Sequence, residues 1–477
     1  MPLLRKLIVA VAAVVLVHLS VALVPAWWAA WLAPLPLLWL ALSAPVRTAR
    51  WWLLAVLLAA TSAYLPYFRL VMPVPAAVLS WLGVALVWLA VVMCARRIAL
   101  TRGIGWAALA YPAAWAAVDT LMAAWLPDGN WGSLAYSQAD VLPVLQWASL
   151  FGVAGLLFVL CLPASAAAVL LLRPGARAAK VGLAAAVALA LAAVLGFGQW
   201  RLQQPPVGKA MRVGLASVDD PIGVHARPGY ALAIRARYDD WVARLAGQGA
   251  QLVVLPEKIA VLAPAAAPEW QRHFAALAAQ HRLWLEVGIA IDDGRHPRNY
   301  AWLFDPVGRR VEDYQKHIMA PPERAEGYGV GDAWSVHAID GVRYGLAVCK
   351  DMHFASLGRQ YGRLDVGAML VPAWDFAYVD GWMGSRMTLV RGVENGYAVV
   401  RAAREGLLIV SDPYGRVLAQ ARSASLPGSA LLADLRTGPR LPTLYTRIGN
   451  LFGWSCVALV LALLVLAWLR PTAAPAR

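Results

Sequence analysis

Charge is what this chain has least of. Of its 477 residues only 14% are Asp, Glu, Lys or Arg, while 61% are hydrophobic; an ordinary soluble chain has about 25% charged and roughly 45–50% apolar residues. That scarcity excludes a wholly soluble protein. Acidic residues are the rarer sign, 27 against 42 Lys and Arg, which leaves a net charge of +15. Cysteine is also scarce, with four in all, too few for a disulfide scaffold. The dominance of apolar residues excludes disorder and collagen. The eight histidines contain no His-Glu-x-x-His pattern, so nothing suggests a zinc hydrolase, and neither metal nor cofactor is expected.

What is present is unevenly placed. Residues 1–200 are almost continuously apolar, 201–449 read like a globular domain, and 450–469 are apolar again before a short tail. The first 200 residues hold 11 Lys and Arg against three acidic residues, and the middle segment holds 29 against 24. The globular segment is thus only mildly basic, and no footprint for a phosphate backbone remains, so no nucleic-acid partner is expected. The expected organisation is a membrane domain over 1–200, an exported domain over 201–449, and a last span with a cytoplasmic tail over 450–477.

Apolar windows of about 20 residues, the length that crosses a hydrocarbon core, fall near 7–24, 26–43, 51–70, 75–94, 105–126, 145–172, 180–198 and 450–469. Lys and Arg beside a span end tend to stay cytoplasmic. Arg5 and Lys6, Arg47 and Arg50, Arg96, Arg97 and Arg102, Arg173, Arg177 and Lys180, and Arg470 and Arg477 mark alternate connections, and the remaining short connections hold only Arg69. Seven crossings then carry residues 201–449 to the outside, and an eighth returns the tail. A cleaved signal peptide is disfavoured because Val24-Pro-Ala-Trp-Trp28 runs straight into more apolar sequence. The connection Asp128–Asp140 is rich in aromatic and polar residues. It reads either as an interfacial aromatic belt or as a cleft lining that uses Asn130, Tyr136, Ser137 and Gln138. Asp119 and His18 are the clear intramembrane ionisable groups, and neither suggests an ion path.

In 201–449 short β-rich runs alternate with amphipathic segments, the signature of layered sheets covered by helices. Strands are expected at 211–217, 251–255, 283–290, 300–304, 311–315, 342–348, 366–371, 397–402, 407–411, 417–420 and 429–432. Helices are expected at 230–247, 269–281 and 382–394, with a short one after 348. Cys94, Cys161 and Cys456 fall in spans, leaving Cys349 as the lone thiol of this domain. It sits at a strand-to-helix corner, where both a nucleophile and a buried structural cysteine are open readings. A thiol nucleophile needs a base and oxyanion donors. Glu257 closes the run Leu252-Val-Val-Leu-Pro-Glu257, and Lys316 ends the strand before His317. Each alone is a common strand-end residue; only together do the three, each at the carboxyl end of a strand, resemble one site. His353, four residues past Cys349, offers a Cys–His pair instead. Trp374, Phe376, Tyr378, Trp382 and Met383 form an aromatic cluster that reads either as packed core or as a mobile lid.

The order Glu257, Lys316, Cys349 resembles the nitrilase (carbon–nitrogen hydrolase) superfamily. The resemblance is carried by Leu255-Pro-Glu-Lys258, Tyr314-Gln-Lys-His317, Leu346-Ala-Val-Cys-Lys-Asp351 and Arg391-Gly-Val-Glu-Asn-Gly-Tyr397. Together with the membrane segments, Tyr136-Ser-Gln138 and Leu441-Pro-Thr-Leu-Tyr-Thr-Arg447, the whole chain resembles the apolipoprotein N-acyltransferase family, a membrane-embedded branch of that superfamily. The fold this implies is an α-helical polytopic membrane domain of about eight spans plus an α/β nitrilase-like α-β-β-α sandwich. The implied localisation is the bacterial inner (cytoplasmic) membrane, with the sandwich facing the periplasm.

By that resemblance Glu257 is the base, Cys349 forms a thioester with an acyl chain from a membrane phospholipid, and Lys316 with a backbone amide beside Cys349 holds the oxyanion. Glu323 supports the Lys. The acyl acceptor is the amino-terminal amine of a diacylglyceryl-cysteine lipoprotein. The partners implied are thus phospholipid, lipoprotein and the bilayer, with the chain acting as a monomer. Tyr136, Gln138, Trp374 and Trp382 are candidate substrate or lid residues. The family usually has an aromatic residue and then Glu after the nucleophile; here stand Lys350 and Asp351. Lys350 adds a cation beside the thiolate, and Asp351 retracts the carboxylate. The alternatives are a membrane-tethered carbon–nitrogen hydrolase (amidase), an acyltransferase with another acceptor, or a non-catalytic membrane scaffold.

Overall fold

The computed structural model describes residues 3–205, 208–219, 230–376 and 378–469. Arg470 and Arg477 lie outside them, as does the side chain of Tyr378. Two compact units result, one of residues 1–202 with 448–477 and one of Gln203–Arg447.

In the first unit seven helices among the described residues are long and apolar enough to cross a membrane: Leu3–Val21, Val46–Val71, Val74–Thr101, Ile104–Trp125, Ala148–Leu172, Arg177–Leu202 and Leu451–Trp468. At the place of the expected second span lies the shorter apolar stretch Trp27–Ser43. It divides into Trp27–Leu32 and Pro34–Ser43, because Pro34 has no N–H to continue the first ladder and starts the second as an N-terminal proline. Burial ranks the spans. In the most apolar 18-residue stretch of each, 67% of the residues are buried within the protein for Ile104–Trp125 and Ala148–Leu172 but only 11% for Arg177–Leu202, which leaves the latter an apolar surface suited to lipid. Close helix approach rests on small residues: a Cβ at Gly453 would lie 2.0 Å from Thr120 Oγ1.

The second unit is a two-sheet sandwich. Its strands are β1 (Lys209–Ser217), β2 (Leu252–Val254), β3 (Val261–Leu262), β4 (Trp284–Ile291), β5 (Arg298–Phe304), β6 (Arg310–Gln315), β7 (Val336–Ile339), β8 (Val342–Leu346), β9 (Ala368–Trp374), β10 (Ala398–Arg404), β11 (Leu407–Ser411), β12 (Val417–Arg422) and β13 (Ser429–Thr437). One sheet runs β13-β1-β2-β4-β5-β6, with β3 added to β4, and the other β12-β11-β10-β9-β8-β7. Each has a parallel centre, β1-β2-β4 and β8-β9-β10, with antiparallel strands outside. The parallel strands read as continuous apolar runs because both faces are covered.

Between the sheets Val213, Leu215, Val254, Leu303, Leu346, Leu370 and Val400 form one core. The outer face of the first sheet packs on α1 (Tyr230–Gly247) and α2 (Ala267–His281) through Ile234, Tyr238, Trp270 and Phe274. The second sheet is covered by α4 (Ala355–Arg363) and α5 (Tyr378–Asn395), after the single turn α3 (Pro321–Ala325). This is the expected α-β-β-α order. The short elements β3, β7 and α3 escaped the sequence pattern because two to five residues carry no period.

Candidate active site

Three strand ends meet at one cavity of about 720 Å³. Glu257 follows β2, Lys316 follows β6 directly, and Cys349 opens the turn after β8; all three line the cavity together with Glu323. The turn that carries Glu257 passes so close to β4 that a Cβ on Gly288 would lie 2.4 Å from the Pro256 carbonyl oxygen. Glycine is what lets that backbone approach. The turn is then tied to both sheets, as Ile259 N–H donates to the Gly288 carbonyl at 2.9 Å and Glu257 N–H to that of Ala373 at 3.3 Å. Cys349 has a left-handed backbone, φ 48°, a strained state for a side-chain-bearing residue that recurs at functional corners.

Lys316 is fully buried between two carboxylates, its Nζ 2.7 Å from Glu257 Oε1 and 2.7 Å from Glu323 Oε2. Asn299 Nδ2 donates to Glu257 Oε1 at 2.6 Å and to Glu323 Oε1 at 2.8 Å. Glu323 takes two further bonds, from Ala320 N–H at 2.8 Å and Lys258 Nζ at 2.8 Å. Each Glu323 oxygen therefore accepts two hydrogen bonds. Burial pushes its pKa up, but Lys316 and Lys258 outweigh that and hold it well below the usual range. Lys316 moves the other way: burial favours its neutral amine, yet Glu257 and Glu323 keep it charged and raise its pKa. Glu257 Oε2, by contrast, accepts no hydrogen bond among the described residues. The two carboxylates thus differ: Glu323 is a saturated holder, and Glu257 keeps one oxygen able to receive a proton.

The Cys349 thiol donates to the Trp374 carbonyl at 3.4 Å. Burial, then the Glu257 charge, push its pKa up, and Lys316 and Arg401 pull the other way. It rests as a thiol, so nucleophilic attack requires proton transfer to a base. Asp351, two residues on, binds the site together. Its Oδ1 accepts from Ile318 N–H at 2.8 Å and His317 N–H at 3.2 Å, and its Oδ2 from Tyr314 Oη at 2.8 Å and Val348 N–H at 3.0 Å. Burial raises its pKa to about 6, against the pull of Lys316 and these donors. The retracted Asp side chain therefore fastens the Lys316 segment to the Cys349 corner.

The other expected residues distribute themselves. Trp374 and Phe376 line the cavity, whereas Met383 is buried and Trp382 lies outside the cavity lining, its ring 5.6 Å from the Arg386 guanidinium. Lys350 is buried and acts on Asp380 and His353; the strongest charges on the thiol come instead from Glu257, Lys316, Arg401 and Asp375. His353 does not pair with Cys349: its Nε2 has no partner among the described residues, and burial with Arg401 and Lys350 keeps it neutral. Tyr136 and Gln138 are fully buried in the membrane unit. Tyr136 Oη donates to Asn130 Oδ1 at 3.1 Å, Trp31 Nε1 to Gln138 Oε1 at 2.8 Å, and Gln138 Nε2 to the Trp27 carbonyl at 2.9 Å. Asn299 was missed in the sequence, and Lys258, though part of the stretch Leu255-Pro-Glu-Lys258, was given no role there despite its place next to Glu257. No group of three or more His, Cys, Asp or Glu among the described residues is arranged to hold a metal ion.

Layered sheets with helices on both outer faces, and a cavity at the strand ends holding Glu, Lys and Cys, define the class: a carbon–nitrogen hydrolase domain joined to a membrane domain. Residues 196–427 match the carbon–nitrogen hydrolase family, and residues 13–166 match the apolipoprotein N-acyltransferase N-terminal domain. The chain belongs to the apolipoprotein N-acyltransferase family. It is 26% identical to the apolipoprotein N-acyltransferase of Geobacter metallireducens over 76% of this chain and 74% of that protein. With that of Chromobacterium violaceum it shares 28% identity over 84% of this chain and 79% of the relative. Among solved structures it is similar to an amidase from Nesterenkonia sp. AN1, at 23% identity and a TM-score of 0.42, over 49% of this chain and 93% of that one.

Proposed function

We propose that this protein transfers a fatty acyl chain from a membrane phospholipid to the amino-terminal amine of diacylglyceryl-cysteine lipoproteins, through a thioester on Cys349. The observation that carries the reading is Lys316, held 2.7 Å from both Glu257 and Glu323 in one cavity with Cys349. That cluster occurs in a chain that also matches the acyltransferase membrane domain.

Glu257 Oε2 takes the thiol proton as sulfur attacks the ester carbonyl. Lys316 and a backbone amide beside Cys349 receive the oxyanion. The C–O bond breaks, the lysophospholipid leaves as an alcohol with the proton from Glu257, and an acyl thioester remains. The acceptor amine then attacks that carbonyl, the new amide C–N bond forms, the C–S bond breaks, and the amine's proton passes through Glu257 to restore the thiol. The scheme is a two-step exchange with ping-pong kinetics and calls on no cofactor. One chain carries the whole cluster, so a monomer suffices.

The side of action follows from charge. The Arg and Lys clusters favour a cytoplasmic amino terminus and a periplasmic sandwich domain in the bacterial inner membrane. That requires Trp27–Ser43 to count as a crossing; at 17 residues it reaches the lower limit of a span. The test is incubation of the purified protein with acyl-labelled phospholipid, followed by a diacylated lipopeptide. A hydroxylamine-labile label on Cys349 that moves to the peptide amine supports the reading. No adduct, an adduct that persists in Cys349→Ala, or transfer to water alone overturns it.

A further inference from the structure

Lys258 follows Glu257 directly and has a left-handed backbone, φ 51°. This conformation is unfavourable for a long side chain, and the turn is held from behind by Arg404, which donates to the Lys258 carbonyl at 3.1 Å. As a result, two consecutive side chains both line the same cavity. The Lys258 ammonium is only 5% exposed as a residue. It lies 2.8 Å from Glu323 Oε1, 4.3 Å from the centre of the Tyr328 ring and 5.6 Å from that of Trp374. A buried ammonium so held is ordered, not solvated.

The charge count gives it a role. Glu257, Glu323 and Lys316 alone carry one net negative charge, and Lys258 makes the cluster neutral. Both carboxylates bond Lys316, and without Lys258 its single positive charge, which the acyl oxygen needs, would be the only one set against two negative charges. In a water-poor cavity one uncompensated charge acts strongly on its neighbours. The negative charge that starts on Glu257 passes to sulfur and then to the acyl oxygen, and a nearby cation favours it at the later stations.

We propose that Lys258 is a positioning residue acting through Glu323: by pairing with Glu323 Oε1 it balances a carboxylate charge that Lys316, bonded to both carboxylates, would otherwise offset alone, so that the charge of Lys316 can act on the thiolate and the oxyanion. The inference rests on the reading of Cys349 as nucleophile. The charged groups around that thiol are Glu257 and Lys316, the Arg401–Asp375 pair joined at 2.5 and 3.0 Å, and Lys350 and Asp351 on its own turn. Lys258 acts on it from beyond Glu323.

The experiment measures the rate of iodoacetamide alkylation of Cys349 against pH in the full-length protein in detergent micelles, with the site read by peptide mass spectrometry. Lys258→Met, and Lys258→Gln, which still hydrogen-bonds Glu323, are compared with wild type; using both keeps a packing defect in one from muting the test. Each is expected to slow the reaction about tenfold near neutrality and to move the rising limb upward by about one pH unit. The double variant Lys258→Met with Glu323→Gln is neutral again and is expected back within about threefold of wild type, whereas losses of packing alone would add. Profiles of both single variants that overlay wild type, or a double variant slower than either single, overturn the role of Lys258. Wild-type labelling no faster than in Cys349→Ala overturns the nucleophile itself.

Discussion

The membrane unit and the sandwich domain treat buried polar groups in opposite ways. In the membrane unit they are scattered, and those that bond do so in isolated contacts: Asn130 Nδ2 donates to Asp119 Oδ2 at 2.8 Å, and Arg96 to the Ala41 carbonyl. In the sandwich domain buried charges gather at one end of the parallel strands, where Glu257, Lys258, Lys316, Glu323 and Cys349 share a cavity. A polar group surrounded by hydrocarbon is costly without a partner, which limits how many can gather there. A cluster at strand ends is supported by two sheets and can keep one group, Glu257 Oε2, without a hydrogen bond among the described residues.

The sharpest way to break this comparison uses the cysteines. Cys349→Ala is expected to abolish acyl labelling, while Cys94→Ala, Cys161→Ala and Cys456→Ala together should leave it within about twofold, since none of those thiols lines the cavity that holds Glu257 and Lys316; retained label in Cys349→Ala, read on gels after phospholipid incubation, would erase the distinction. Next in size, Glu323→Gln leaves two buried lysines short of a counter-charge. Removing one partner of a buried pair costs about 3–5 kcal/mol, so a large fall in melting temperature is expected by differential scanning fluorimetry in detergent.

Glu286 sharpens the picture within the sandwich. It is fully buried on β4 with neither oxygen hydrogen-bonded among the described residues, and burial raises its pKa well above its ordinary 4.5. A carboxyl raised on folding contributes stability that is complete below about 4.5 and declines as pH rises towards the folded value, by about 1.4 kcal/mol per pH unit. Glu286→Gln cannot ionise, so its melting temperature should exceed wild type by a margin that widens from pH 5 to pH 8; a constant margin would contradict this. The smallest effect is expected in the membrane unit. Asp119→Leu removes the acceptor of Asn130, but polar contacts within membranes are worth about 0.6 kcal/mol on average, so the melting temperature should shift only slightly.

Much of the site was legible in the chain because its chemistry sits where strands stop. Glu257 and Cys349 each end an apolar run and Lys316 ends a short strand pattern, so position along the strands pointed to those three, whereas Glu323, seven residues past the Lys, came from the family resemblance. Asn299 was not legible: it lies at the start of β5, opposite Ala290, and its bridge between Glu257 and Glu323 exists only once that antiparallel register forms. Asp351 looked like a shortened carboxylate until folding brought His317 and Ile318 against it. Trp382 was attractive by its place among aromatics, but its helix leaves it outside the cavity lining while Trp374 reaches it.

Composition and periodicity by themselves determined that this protein has a lipid-facing part and a layered α/β part, where the spans fall, and that one thiol stands apart from the other three. These are local or summed properties, set by hydrocarbon thickness and by side-chain alternation. Only the tertiary structure decided which carboxylate is saturated, which keeps a free oxygen, and that Lys258 shares the cavity with Lys316. Those facts depend on a left-handed turn, a close pass over Gly288 and strand registers that join residues far apart in the chain, and no local pattern encodes them.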